Sequence, residues 1–236
     1  MGDKRVIILI FLIGLIGWAS AWADNSSLYQ EVDGCNLINT SNATYVLTQN
    51  VSSNGTCFTI YEENITLDCN GFWINYSIDG ISNDYGIYIN SHSNLTLKNC
   101  NIVDGNWESE NTTRHGIYIV GSSNNNKLLN NYFYVNNSYG IYISSALYNN
   151  LTNNVIFSNT SMGIRLLNAH NSFLMDNFVS TNSQYGIYFG SNNNILKNNY
   201  VETVGPAYYL TDSNNNTLEN NIGISTESNT AIRLGI

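Results

Sequence analysis

The chain has 236 residues, and its 17 acidic side chains outnumber its 8 basic ones, which gives a formal net charge of −9 at pH 7. An acidic chain without a basic patch argues against binding to nucleic acid and against adsorption to anionic lipid surfaces. Contact with a membrane would have to run through the N-terminal segment.

The N-terminal segment, residues 1–23, has the pattern of a secretory signal peptide. Lys4-Arg5 precedes an apolar run over residues 6–16, and Ala21-Trp22-Ala23 supplies a small-x-small cleavage site. Residues 6–23 are also close to the shortest length that spans a bilayer, so an uncleaved membrane anchor is the alternative. The first interpretation predicts a secreted or cell-surface protein that begins at Asp24.

Residues 24–55 precede the first clear repeat and are predicted to form an N-terminal cap. Residues 45–51 have the pattern of one strand within it. A stack of coils has an open end with unpaired strand edges, and a cap is expected to cover that end.

A five-residue phrase, aromatic-Gly-Ile-Tyr-Ile, recurs along the rest of the chain. It begins at Tyr85, His115, Tyr139, Met162 and Tyr185, with weaker copies at Pro206 and Thr230 and a cysteine variant at Thr56. Self-similarity at a period of about 20–50 residues indicates a solenoid.

A second phrase, Leu-x-Asn-Asn followed by apolar residues, lies within each repeat. It begins at Leu128, Leu151, Leu174, Leu196 and Leu218, with earlier variants at Leu67 and Leu97. Asparagine tolerates the left-handed backbone of a sharp bend, and stacked asparagine amides can form a hydrogen-bonded ladder. Asp176 takes an asparagine position in this series. Short alternating runs broken by Asn, Ser and Gly predict strands and bends, without helices.

In these two phrases residues 56–236 resemble the right-handed parallel β-helix proteins, the pectate-lyase-like and NosD-like group that binds or hydrolyses carbohydrate. The resemblance implies an all-β, single-stranded parallel β-helix of about seven to eight coils behind the N-terminal cap. Strands would pair with their copies one coil later, about 4.8 Å away. His92, His115 and His170 are scattered, so no soft-metal centre and no cofactor is expected.

Four cysteines behind a signal peptide predict two disulfides in an oxidising compartment. Three pairings are possible. Proximity in the stack favours Cys35–Cys57, which would join the cap to the first coil, and Cys69–Cys100, which fall at nearly equivalent points of adjacent coils.

Two adjacent coils carry insertions at the same corner, in the loops 75–84 and 103–115, and form one acidic lip. Long loops on a rigid scaffold often carry function. The lip contains Asp79, Asp84, Asp104, Trp107, Glu108 and Glu110, followed by Arg114 and His115.

The acidic lip has three interpretations. Asp84, Asp104, Glu108 and Glu110 are candidate catalytic residues, because paired carboxylates beside an aromatic ring suit glycoside hydrolysis. The carboxylate oxygens of the same residues could also bind calcium. The third interpretation is a solvated acidic loop without a site.

Strand alternation predicts a column of outward-facing side chains, one per coil. Its members are Tyr88, Tyr118, Tyr142, Arg165, Tyr188, Tyr209 and Arg233. The same count predicts that Gly86, Gly116, Gly140, Gly163 and Gly186 form an outward column beside it, which would leave a shallow trough. The candidate carbohydrate-binding residues are Tyr88, Trp107, Tyr118, Tyr142, Arg165 and Tyr188, since aromatic rings offer an apolar face and a polar edge. Alternatively, the tyrosines only shield the glycine backbone.

Charged and glycosylatable side chains add further expectations. Lys98 is expected to pair with Asp68, and Lys197 with Glu219, across adjacent coils. Asn-x-Ser/Thr triplets at Asn25, Asn42, Asn54, Asn64, Asn94, Asn111, Asn150 and Asn215 are potential glycosylation sites.

The last strand phrase, Leu234-Gly235-Ile236, has no polar cap after it, so an end-to-end partner or further coils are expected there.

These patterns predict a non-catalytic secreted or cell-surface protein that binds carbohydrate or forms part of a surface assembly. The alternative is a polysaccharide hydrolase or lyase that uses the acidic loops.

Overall fold

The computed structural model describes residues 28–81, 83–106, 113–227 and 230–235. Every regular element in these ranges is a β-strand, and the strands form three parallel sheets. The chain winds through the three sheets in turn, as a right-handed β-helix of about eight coils, and the predicted fold class is confirmed. The predicted signal peptide, residues 1–23, lies outside the described residues.

Sheet A has nine strands and follows the Leu-x-Asn-Asn phrase. Its strands in spatial order are β1 (Leu28–Val32), β3 (Ala43–Leu47), β6 (Thr66–Asp68), β9 (Thr96–Lys98), β12 (Lys127–Leu129), β15 (Asn150–Thr152), β18 (Phe173–Met175), β21 (Ile195–Lys197) and β24 (Thr217–Glu219). The leucine at the centre of each repeat strand faces the core.

Sheet B has nine strands and carries the Gly-Ile-Tyr-Ile phrase. Its strands are β2 (Leu37–Ile38), β5 (Phe58–Ile60), β8 (Ile87–Asn90), β11 (Ile117–Val120), β14 (Ile141–Ser144), β17 (Ile164–Leu167), β20 (Ile187–Gly190), β23 (Tyr208–Leu210) and β26 (Ile232–Leu234).

Sheet C has eight strands and closes each coil. Its strands are β4 (Val51–Ser52), β7 (Trp73–Tyr76), β10 (Asn101–Asp104), β13 (Tyr132–Val135), β16 (Val155–Ser158), β19 (Phe178–Thr181), β22 (Tyr200–Thr203) and β25 (Ile222–Ser225). Within residues 24–55, predicted as a cap, the strands β1 to β4 join all three sheets.

Columns of apolar side chains fill the interior, because each inward position stacks on its copy in the next coil. Ile87, Ile117 and Ile141 are fully buried and lie in register on β8, β11 and β14. The hydroxyl of Tyr76, whose ring is fully buried, donates a hydrogen bond of 2.8 Å to the carbonyl oxygen of Arg114. Burial raises the pKa of the Tyr76 hydroxyl well above its usual value.

Asparagines at the bend after sheet A stack into the predicted ladder. The side-chain amides of Asn131, Asn154, Asn177, Asn199 and Asn221 are joined in series by hydrogen bonds of 2.9–3.0 Å. The preceding residue has a left-handed backbone, at Asn153 and also at Asp176, which accepts a hydrogen bond from Asn198. These contacts satisfy polar groups at a buried corner, where unpaired ones would be costly.

Both predicted disulfides are present and join adjacent coils. Cys35 pairs with Cys57, and Cys69 pairs with Cys100, with Cα–Cα distances of 4.6 and 4.7 Å. The described residues contain no free cysteine.

The two predicted ion pairs between coils are also confirmed. Lys98 lies 3.0 Å from Asp68, and Lys197 lies 2.9 Å from Glu219. Partial burial alone would raise the pKa of Asp68, but hydrogen bonds from Asn70, Lys98 and Asn99 outweigh it and lower that pKa.

The predicted outward column of glycines is wrong, because these glycines face the core. A Cβ atom on Gly140 would lie 2.4 Å from the Ile156 side chain, and one on Gly163 would lie 2.2 Å from Val179. The chain turns sharply between sheets C and B at this point, so strand alternation does not apply across the corner. Gly86, Gly116 and Gly186 meet inward side chains of sheet C in the same way. Glycine is therefore required for close packing, and no trough runs beside the tyrosines.

None of the described residues belongs to a helix that is long and apolar enough to cross a membrane.

Candidate functional site

The predicted tyrosine column is continuous on the outer face of sheet B. Strand pairing places its members in direct register, in the order Tyr88, Tyr118, Tyr142, Arg165, Tyr188, Tyr209 and Arg233. The rings of Tyr118 and Tyr142 are stacked, with centroids 5.0 Å apart and planes 17° apart. Five coil steps of about 4.8 Å separate Tyr88 from Tyr209, a span of roughly 24 Å.

A second aromatic column, which the sequence analysis did not assign to the site, lies beside the first. Tyr85, His115 and Tyr139 stack in series, with centroid distances of 5.7 and 4.9 Å. Farther along, Tyr185 stacks on Tyr209 at 4.5 Å. The sequence did contain evidence for this column, because Tyr85, His115, Tyr139 and Tyr185 are the first residues of copies of the aromatic-Gly-Ile-Tyr-Ile phrase.

Together the two columns form one surface, here called the tyrosine platform. Its rings are half-buried, apart from His115, which is buried, so their outer edges are open to solvent. The platform consists of Tyr85, Tyr88, His115, Tyr118, Tyr139, Tyr142, Arg165, Tyr185, Tyr188 and Tyr209.

Arg165 joins the two aromatic halves of the platform. In its coil Met162 replaces the aromatic residue of the second column, and the guanidinium fills the gap. The Arg165 Cζ lies 5.0 Å from the ring centre of Tyr142 and 5.5 Å from that of Tyr188. Nη1 donates a hydrogen bond of 2.9 Å to the Tyr139 hydroxyl.

The Arg165 guanidinium is not neutralised by a neighbour. Among the described residues, no carboxylate forms an ion pair with it, and its buried Nε atom has no hydrogen-bond partner. Cation–π contacts with the surrounding rings hold the charge in place. The platform therefore has a positive centre with one unused donor.

His115 is held neutral inside the platform. Its Nδ1 lies 2.7 Å from Ser138 Oγ and accepts a longer hydrogen bond of 3.3 Å from the Tyr139 backbone N–H. Burial, with a smaller contribution from the charge of Arg165, lowers the pKa of His115 to about 3. At neutral pH the ring acts as an uncharged aromatic spacer between Tyr85 and Tyr139.

The acidic lip contains an ion pair that the sequence analysis did not anticipate. Asp104 and Arg114 are both fully buried, and Asp104 Oδ2 lies 3.1 Å from Arg114 Nε. Arg114 also donates a hydrogen bond of 2.8 Å to the carbonyl oxygen of Asn106. Burial raises the pKa of Asp104, and the guanidinium of Arg114 opposes that effect. Asp104 thus ties the start of the 103–115 loop to its end and is not presented to solvent.

Asp84 is nearly buried at the start of the platform, one residue before Tyr85. Its Oδ2 atom lies 3.4 Å from the hydroxyl of Ser77. Burial raises the pKa of the Asp84 carboxyl. Asp79, in the same loop, is exposed.

The remaining lip candidates, Trp107, Glu108 and Glu110, lie outside the described residues. Within the described ranges, no group of three or more His, Cys, Asp and Glu side chains is arranged to hold a metal ion.

Comparison with known proteins agrees with the coil architecture. The family model described as "Right handed beta helix region" matches residues 85–232. No curated protein sequence matches the chain significantly.

Several solved structures are similar to this chain at low sequence identity. One is a periplasmic alginate epimerase, with 16% identity and a TM-score of 0.53, over 84% of this chain and 56% of that one. Another is the A-module of a mannuronan C-5 epimerase from Azotobacter vinelandii, with 17% identity and a TM-score of 0.50, over 87% and 80% of the two chains. A surface adhesin of Streptococcus pneumoniae has 12% identity and a TM-score of 0.34, over 89% and 86%. This chain spans a little over half the length of the first protein, and these likenesses extend to the fold alone.

Proposed function

We infer the function of this chain from its own surface, because it belongs to the right-handed β-helix family, whose fold serves several activities. We propose that it is a non-catalytic polysaccharide-binding protein. The tyrosine platform on sheet B is the binding surface. The observation that carries this proposal is the unbroken register of rings from Tyr88 to Tyr209, with Arg165 at its centre.

The chemistry of the platform suits sugar rings. A pyranose offers C–H groups on one face and hydroxyls at its edge, and the stacked tyrosines, whose faces lie against each other, offer ring edges and phenolic hydroxyls. Tyr118 and Tyr142 repeat this arrangement from coil to coil, so an extended glycan would meet the same kind of contact at each step. The half-buried guanidinium of Arg165 would add a positive charge in the middle of that track.

The ion pair in the lip favours binding over catalysis. Glycoside hydrolysis requires two carboxyl groups that flank the scissile bond. Asp104 is fully buried against Arg114, and it would have to break that pair to reach a substrate. The positive charge of Arg165 is positioned to bind a ligand. It is not paired with a side chain that could transfer protons at neutral pH.

Asp84 supports one alternative, a polysaccharide hydrolase or lyase. Its raised pKa is suited to a general acid, and it adjoins Tyr85 at the end of the platform. Glu108 or Glu110 would then have to supply the second carboxylate. This alternative predicts that incubation with a bound glycan shortens the glycan, and that Asp84→Asn abolishes the shortening without abolishing binding.

The place of action follows from the disulfides and the sequence. Two disulfides are typical of proteins that fold in an oxidising compartment. Together with the predicted signal peptide they support a secreted or cell-surface location, where polysaccharides are the abundant polymers.

A glycan array tests the proposed function. The mature protein, starting at Asp24, is applied with and without calcium, because the acidic loops would suit that ion. Tyr118→Ala is the test variant, and Tyr132→Ala is the matched control, because Tyr132 is a half-buried tyrosine on sheet C whose ring centre lies 5.8 Å from that of Phe157. The proposal predicts binding to at least one polysaccharide that Tyr118→Ala loses and Tyr132→Ala keeps. Equal loss in both variants would place the binding surface elsewhere.

A further inference from the structure

A second aromatic surface lies on the outer face of sheet C, and we call it the sheet C strip. It is formed by the two outward side chains of each strand from β7 to β25. One column is Trp73, Asn101, Tyr132, Val155, Phe178, Tyr200 and Ile222, and the other is Asn75, Val103, Tyr134, Phe157, Ser180, Glu202 and Ile224.

The rings of the strip are in contact along most of its length. Phe157 lies 5.6 Å from Phe178, which stacks on Tyr200 at 5.3 Å with the ring planes 6° apart. At one end Trp73 is 42% exposed, and at the other Ile222 is 54% exposed. A contiguous exposed apolar surface of this kind marks an interaction site.

The strip differs from the tyrosine platform in its chemistry. Its central positions, Val155, Phe157 and Phe178, have no polar atom with which to bind sugar hydroxyls. Of the outward positions on these described strands, only Glu202 is charged. Because the chain carries a net charge of −9, two copies repel each other over most of their surface. The strip is a face on which two copies can meet without burying many like charges.

The geometry points to a second copy of this chain as the occupant of the sheet C strip, packed face to face with the helix axes antiparallel. The two-fold axis runs parallel to the strands, midway between the two sheets, and crosses over β16, the central strand of the strip. Phe157 then faces the partner's Phe157, and β7, β10 and β13 face β25, β22 and β19. Packed sheets lie about 10 Å apart with their strands nearly aligned, which this axis permits.

The single charge of the strip selects the antiparallel arrangement. In that arrangement Glu202 on β22 faces Val103 on β10, which is uncharged. In a parallel arrangement the two Glu202 carboxylates share one level of the stack. Placing like charges together across an interface is costly, so the parallel dimer is disfavoured.

The size of the strip predicts a weak dimer. Six coil steps give a length of roughly 29 Å, and two outward columns give a width of about 13 Å. The flat footprint is therefore about 400 Å² per copy, below the roughly 800 Å² per partner of a standard stable interface. We expect a dissociation constant in the micromolar range or weaker.

Sedimentation equilibrium of the mature protein up to roughly 1 mM tests the dimer. Phe157→Glu places two carboxylates against each other on the axis and should weaken the dimer more than about tenfold. The matched control is Phe173→Glu, which makes the same change at a half-buried outward position of sheet A. It should leave the dimer unchanged, whereas equal weakening by both variants overturns the proposal.

Val103→Lys tests the relative direction of the two copies. In the antiparallel dimer the new ammonium group faces the partner's Glu202, so association should tighten several-fold at low salt and the gain should vanish at high salt. In a parallel dimer the lysine lies four levels, about 19 Å, from that carboxylate and faces the partner's own β10 strand. Weakened association of Val103→Lys therefore overturns the antiparallel arrangement.

A wild-type protein that remains monomeric over the whole concentration range overturns the proposal entirely. In that case the strip has another occupant. If Phe157→Glu then loses binding to the glycan array and Phe173→Glu keeps it, the occupant of the strip is carbohydrate.

Discussion

Arg165 donates a hydrogen bond of 2.9 Å from Nη1 to the hydroxyl of Tyr139, a residue one coil earlier and in the neighbouring column. This bond links the two aromatic columns at the point where Met162 interrupts one of them. The guanidinium therefore serves as a structural bridge, and its buried Nε atom is left without a hydrogen-bond partner.

Arg165→Lys should weaken glycan binding strongly while leaving the fold intact. Lysine keeps the charge but lacks the planar fork that can contact Tyr139, two further rings and a ligand at the same time. Isothermal titration with the best array ligand gives the affinity, and a thermal melt gives the stability. Since an exposed cation–π contact contributes only about 0.5–1 kcal/mol, the melting temperature should change little. Unchanged affinity would remove Arg165 from the site.

Asp104→Asn should destabilise the protein by about 3–5 kcal/mol, because it leaves the Arg114 guanidinium buried without a negative partner. Urea unfolding at pH 7 measures the change in the free energy of unfolding. The control is Asp68→Asn, which breaks the partly exposed pair with Lys98 and should cost no more than about 1 kcal/mol. Similar costs for the two variants would contradict the burial of the lip ion pair.

His115 should lower the stability of the protein as the pH drops from 6.5 toward 3. In the unfolded chain this imidazole takes up a proton below its usual pKa of 6.5, whereas in the folded protein it stays neutral down to about 3. Protons thus bind preferentially to the unfolded state in this window.

Replacing the ring by an uncharged one isolates the contribution of His115. His115→Phe keeps an aromatic ring between Tyr85 and Tyr139 and removes the titration. Urea unfolding at pH 6.5 and pH 5 should show a smaller loss of stability for the variant than for the wild type. Equal slopes would mean that His115 is accessible to protons in the folded state.

Gly140→Ala should destabilise the protein by about 1–3 kcal/mol, because its Cβ would overlap Ile156 and approach the backbone oxygen of Gly163. Thermal and urea unfolding measure the effect. Ser144→Ala, at the end of the strand that follows Gly140, is the control and should be nearly neutral. If Gly140→Ala leaves the stability unchanged, the result would support the outward-facing glycine column that the structure contradicts.

Much of the fold could be predicted because a solenoid repeats its own register. Once the copies of Gly-Ile-Tyr-Ile are aligned, the stacking of Tyr118 on Tyr142 follows from the period, and Cys69 falls close to Cys100 in the adjacent coil. The asparagine ladder follows for the same reason, since each amide meets its own copy one coil later.

Features outside the strands could not be predicted in this way. Gly140 was assigned to the outer face because alternation was extended across a corner, where the backbone changes direction. The Asp104–Arg114 pair depends on the path of an insertion loop, which no repeat specifies. The second aromatic column depends on how Tyr85 and Tyr139 lean at that same corner.

The central claim is that the tyrosine platform binds polysaccharide, and the affinity of Tyr142→Ala and Tyr188→Ala for the array ligand tests it most directly. These residues flank Arg165 on either side, so each variant removes one contact surface from the middle of the platform. The account predicts that each substitution abolishes measurable glycan binding by isothermal titration, with a loss of unfolding free energy of only about 1 kcal/mol. Retained binding in both variants, together with a marked loss of stability, would contradict it and would mean that the tyrosines only support the sheet.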